Sequence, residues 1–145
     1  MSYFGAALGT AIGMMIGLVV FSNTWRVKSY LPKEYDFIHE WGKKFVKTDK
    51  KVYTYMIRLI VGMIFHPIVF VFIWSQEGLL KINLFNSDII SAVVLLLFES
   101  LMFSIAIWID IVKIRPENLK TRIIPLQIGI HLIVGFLMGY FYTVL

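Results

Sequence analysis

Four long, mainly apolar stretches, Tyr3–Phe21, Thr54–Trp74, Asp88–Ile111 and Ile124–Leu145, constrain this chain more than any other feature. A helix needs about 20 apolar residues to cross a hydrocarbon core of roughly 30 Å. Apolar residues gathered in blocks of that length cannot all face one small core. Only 16% of the 145 residues are charged and 59% are hydrophobic, whereas a soluble domain keeps about 25% charged. Lipid is the solvent that fits. Inside lipid each segment must satisfy its own backbone, which selects helices. Strands of a membrane barrel would alternate polar and apolar residues over about ten positions, and no such alternation is visible. The expected fold is therefore all-α: a four-helix transmembrane bundle, one domain over residues 1–145, with no soluble domain and no internal repeat.

The first stretch has no basic residues before it and runs out in Phe21, Ser22, Asn23, Thr24 and Trp25. That is a poor small-residue cleavage site, so it reads as a retained anchor. Orientation follows from the basic residues. Segment 26–53 holds Arg26, Lys28, Lys33, Lys43, Lys44, Lys47, Lys50 and Lys51, and segment 113–122 holds Lys113, Arg115, Lys120 and Arg122. The connection between the second and third stretches has only Lys81. Both basic segments fall on one side of an alternating path, which places them in the cytoplasm and both termini outside, in a multi-pass protein of the cell membrane. Aromatic residues suit the same frame: Tyr3, Trp74, Tyr140 and Tyr142 near the outer edge, Trp25, Tyr53, Tyr55 and Trp108 near the inner one.

After Pro32, the residues Phe37, Ile38, Trp41 and Phe45 recur at helical spacing, with Lys43 and Lys47 opposite. This predicts a short amphipathic helix in the membrane interface, near anionic headgroups; the plainer alternative is a segment tucked against the ends of the bundle. The net charge of +5 belongs to these cytoplasmic segments and does not point to nucleic acid. The connection Gln76–Ser87 is too apolar for a free aqueous loop, so it is expected to lie back on the membrane or to pack on a partner. Ser87 or Asp88 is expected to cap the third helix.

Within the first stretch Gly5, Gly9, Gly13 and Gly17 stand at a strict spacing of four. On a helix they form one smooth ridge, a glycine zipper of overlapping G-x-x-x-G units along which another backbone can approach. Packing inside the molecule is the plain expectation, with Gly135 and Gly139 as the natural mate. Self-association or docking on another membrane subunit through this first stretch is the sharper one.

Ionisable residues inside a span need a reason, because a charged side chain at its centre costs about 2.5–3.5 kcal/mol. Glu99 and His66 both fall roughly 20 Å from the cytoplasmic ends of their stretches and His131 roughly 13 Å, so Glu99 and His66 are expected to pair. Gln127 and His131, four apart, share a face; Glu99 and Asp110, eleven apart, nearly do. Arg58 lies two turns below His66, close enough to the interface to snorkel, with Asp110 as its expected partner. Pro67 should kink the second helix and leave the Met63 carbonyl without its helical donor.

Three explanations of this polar stripe compete: a fixed register for the bundle, a proton or ion path through a carboxylate beside a histidine, and a b-type haem on His66 and His131, which their unequal depth disfavours. No cofactor is expected. The chain has no cysteine and no HExxH-type spacing, so no metal site is expected either. Ser100 and Ser104 are expected to bond back to helical carbonyls and not to act as nucleophiles. No catalytic constellation is present, although a lipid-processing enzyme could work with one acid and one histidine. The favoured function is a small non-catalytic accessory or structural subunit of a larger membrane complex. The alternative is a small proton- or ion-coupled transporter or channel acting as a homo-oligomer through Glu99 and His66.

Overall fold

Every regular element among the described residues is helical, and the computed structural model describes residues 2–21, 39, 42–82, 84–114 and 117–145. Helix α1 spans Tyr3–Phe21 and opens with Ser2 Oγ accepting from Gly5 N at 3.0 Å. Helix α2 spans Lys51–Ile68 and runs on as a π-helical turn, Val69–Trp74. Helix α3 spans Asp88–Trp108, with Ser87 as its N-cap, its hydroxyl accepting from Ile90 N at 3.3 Å. Helix α4 spans Lys120–Val144 after a 3-10 turn at Glu117–Leu119. Three segments are long and apolar enough to cross a membrane: Lys51–Trp74, Asp88–Trp108 and Glu117–Val144. α1 is apolar over Tyr3–Gly17.

Three helix ends differ from the hydropathy pattern, the first being α2, which starts at Lys51, three residues before Thr54. α3 stops at Trp108 and does not reach Ile111, because Asp110 takes a left-handed backbone (φ 68°) that breaks the helical path. α4 starts at Lys120, one turn before Ile124, since its polar first turn is helical but not apolar. Pro67 does mark an irregularity, and its form is specific. The missing amide is followed by a widened helix in which Ser75 N reaches back five residues to Phe70 O at 2.7 Å.

The helices alternate in direction. Ser2 N bonds Tyr142 O at 3.2 Å, the Tyr3 and Phe72 rings meet at 6.2 Å, and Gln76 N bonds Asp88 Oδ1 at 3.2 Å. The start of α1, the end of α2, the start of α3 and the end of α4 therefore share one end of the bundle.

α4 is the central helix, packed closely on both α1 and α3. The glycine ridge of α1 lies against it. A Cβ at Gly5 or Gly9 would run into the carbonyls of Phe141 or Leu137, and one at Gly13 or Gly17 would meet Val134 or Ile130 at 2.8 and 2.9 Å. Gly135 and Gly139 are not the mate of this ridge, as the sequence suggested. They face α3 instead, where a Cβ would lie 2.9 Å from Ala92 O and 2.7 Å from Ile89 Cα. On α4 the residues against α1 and these two glycines fall on different faces, so the helix can be approached closely on both sides.

α2 packs on α1, where Gly62 leaves room for the Met14 thioether. It runs close to α3 only at its π-helical end. Two apolar cores result, one around Ala6, Phe70, Leu96 and Met138, the other around Ile107, Ile114, Leu119 and Ile123, with Ile130 against both. Of the expected interfacial helix, Phe37–Phe45, residues 37, 38, 40 and 41 lie outside the described residues, and residues 43–45 form a turn. Of its described part, His39 Nδ1 sits 2.8 Å from Thr54 Oγ1, and a Cβ on Gly42 would collide with Thr54.

Candidate functional site

Between the two cores α2, α3 and α4 contribute a layer of polar side chains. Its centre is the pair expected from depth: His66 Nδ1 lies 2.8 Å from Glu99 Oε2, and both side chains are largely withdrawn from the surface. The oxygen is close to the ring nitrogen but off the line of an N–H bond, so Nδ1 makes an electrostatic contact without a formed hydrogen bond. Away from the π-helical end the backbones of α2 and α3 approach less closely than those of α3 and α4, and these two side chains bridge them.

His131 joins this pair more closely than the counted depth suggests, its ring centroid 6.3 Å from that of His66. α4 begins at Lys120, which places His131 eleven residues, about 17 Å of helical rise, from the helix start. His131 Nδ1 is 2.7 Å from the Gln127 carbonyl. A carbonyl only accepts, so Nδ1 carries the hydrogen, and Nε2 is the nitrogen left to take up a proton. The Phe103 ring stands 6.5 Å from His131 and walls this side of the layer.

The Gln127 side chain ties α4 to α3. Its Nε2 donates to Ser100 O at 2.9 Å and to Ser104 Oγ at 2.6 Å. Both serines bond back to helical carbonyls, Ser100 to Leu97 and Ser104 to Ser100. Ser104 Oγ therefore donates its one hydrogen backward and accepts from Gln127, a role that sequence spacing alone does not single out. Gln127 Oε1 is buried with no partner among the described residues.

Arg58 does not snorkel outward. Its Nη1 lies 3.3 Å from the place a Cβ of Gly62 would take, one turn deeper along α2, so the guanidinium is folded toward the middle of the bundle. It lies within electrostatic range of Glu99 and of His131. The absence of a side chain at Gly62 makes this path possible. Asp110 sits apart from the layer: its carboxylate meets Lys120 Nζ at 3.2 Å beyond the end of α3. The eleven-residue spacing from Glu99 assumed a continuous helix, and the helix ends two residues before Asp110.

The layer thus holds one carboxylate, one guanidinium and two imidazoles on three helices. Among the described residues no three His, Asp or Glu groups converge as a metal-ligand set. Its available chemistry is proton exchange: a carboxylate and an imidazole stand at proton-transfer distance, and a second imidazole with a defined tautomer is beside them. No protein family, curated protein or solved structure matches this chain in comparisons of sequence and fold.

Proposed function

We propose that this chain is a multi-pass membrane protein whose four helices all cross the bilayer, with both termini outside and the basic segments in the cytoplasm, and that it moves protons through the His66–Glu99 pair. The observation that carries the proposal is the 2.8 Å approach of these two groups from different helices. A fixed structural pair would serve equally well with two neutral amides. A carboxylate against an imidazole, in a setting this costly for charge, can instead exist in two states that differ by one proton. Arg58 favours a proton over a metal cation as the moving species. Its fixed positive charge opposes a resident sodium or potassium ion, whereas a proton passes between groups already in place.

The test is acid-driven dye quenching in proteoliposomes, comparing the natural chain with Glu99→Gln. Gln keeps the size of the side chain and removes its titration. The expected outcome is proton uptake by the natural protein and a loss on the order of a hundredfold in the variant, with elution volume unchanged. Equal uptake by the two proteins, or none by either, removes the proposal.

A second reading, a non-catalytic subunit of a larger membrane complex, rests on Gly129. It is exposed on the outer side of α4 with nothing within 4 Å of a built Cβ, a notch that suits a helix of another protein. Foreign subunits that co-purify in fixed ratio from the native membrane, and are lost with Gly129→Leu, would support this reading.

A further inference from the structure

The connection between α2 and α3 combines two properties that oppose each other in water. Its side chains are apolar and open: Leu79 is 81% exposed and Phe85 85%. Several of its backbone amides, by contrast, are bonded internally. Leu79 N, Leu80 N and Ile82 N donate to the carbonyls of Phe72, Ile73 and Trp74 at 2.8, 2.7 and 3.0 Å. Those acceptors belong to the last turn of α2, whose carbonyls would otherwise face out of the helix end. Leu84 N reaches Ser91 Oγ at 3.4 Å, and Ser87 N reaches Leu84 O at 3.0 Å.

A loop in water has no need of this, since solvent satisfies amides at no structural cost. A loop in hydrocarbon has every need of it. Phe85 also holds a left-handed backbone (φ 53°), which an aromatic residue adopts only against a steric penalty. In water the exposed ring would return nothing to offset that penalty; in an apolar medium its transfer would. The exposed face of α2, through Ile64, Phe65, Ile68 and Phe72, leads to this loop without a polar break.

The geometry points to a loop immersed in lipid: residues 78–82 and 84–86 lie within the leaflet at the Trp74 end of the bundle, with Leu79 and Phe85 in contact with acyl chains. The inference rests on the membrane reading of the four helices, and it selects lipid over a protein partner as the loop's neighbour. Lys81, exposed within the same loop, reaches back to the headgroups on its flexible stem.

The chain has no cysteine, so single spin labels can be placed without altering a background. Leu79→Cys and Phe85→Cys change only exposed side chains. Phe98→Cys, on the exposed face of α3, reports lipid, and Asp49→Cys, fully exposed beside the basic segment, reports water. Each labelled full-length chain is reconstituted in phosphatidylcholine vesicles, and its collisions with molecular oxygen and with a water-soluble nickel chelate are compared. The expected result is oxygen in excess at 79 and 85, as at 98, and nickel in excess at 49. Nickel in excess at 79 and 85, with oxygen still in excess at 98, overturns the immersed loop and leaves the membrane reading standing. Protection of 79 and 85 from both colliders overturns it in favour of a protein contact. Nickel in excess at 98 removes the membrane reading and the loop inference together.

Discussion

The seam between α1 and α4 and the seam between α2 and α3 solve the same problem in opposite ways. Along the first, four glycines bring backbone against backbone, and no Cβ could be added at Gly9 without meeting the Leu137 carbonyl. Along the second, the backbones approach closely only at the π-helical turn, and His66 and Glu99 bridge the two helices below it. The first is held by close van der Waals contact, which is tight, short-ranged and indifferent to pH. The second is bridged by an imidazole and a carboxylate 2.8 Å apart. The glycine seam is the fixed frame on which the proposed proton movement across the polar seam would depend.

The largest expected effect tests the frame. Gly9→Leu should destabilise the bundle by about 3 kcal/mol, the upper part of the range for overpacking, seen as a lowered thermal midpoint in detergent. Gly129→Leu, at the open position, should leave the midpoint of the isolated chain where it is. Equal effects at the two positions would break the contrast between a closed and an open glycine. Glu99→Gln should separate the seams in the other direction, cutting proton uptake on the order of a hundredfold while moving the midpoint far less than Gly9→Leu.

A smaller effect is expected from a double-mutant cycle of His66→Asn with Glu99→Gln. Its interaction energy, from detergent unfolding, should be about 1 kcal/mol, and a value near zero would mean that the 2.8 Å contact carries no coupling. The smallest is Gln127→Leu. It removes two donated hydrogen bonds but also a buried oxygen with no partner. The net loss should be about 0.6 kcal/mol, the average for such bonds between membrane helices. A loss several times larger would place part of the frame in the polar layer and weaken the contrast.

The pairing of His66 with Glu99 was legible because helical rise is constant, so counting residues from the ends of two adjacent spans gives depth. The same count misplaced His131, since its helix begins in a polar turn that hydropathy does not register. The direction of Arg58 was not legible at all. Snorkelling is the default for a cation near an interface. Here an opposite charge at depth and the bare flank of Gly62 turn the guanidinium inward. The outer connection was legible as too apolar for water, but not its backbone bonds, because these use the carbonyls of the last turn of α2, whose end the sequence does not mark.

The amino-acid sequence alone determined the number of long helical segments, their alternating path and the pairing of His66 with Glu99. All of these follow from local rules: hydrophobic length, helical rise, and the distribution of Lys and Arg. Only the tertiary structure decided which surfaces meet. The glycines of α1 face α4 while Gly135 and Gly139 face α3, the backbones of α2 and α3 approach closely only at the π-helical turn, and Arg58 folds toward Glu99. A spacing of four states that residues share a face of one helix. Which neighbour that face meets depends on the rotation and crossing of all four helices together, and those are set by side-chain volume and charge across the whole bundle.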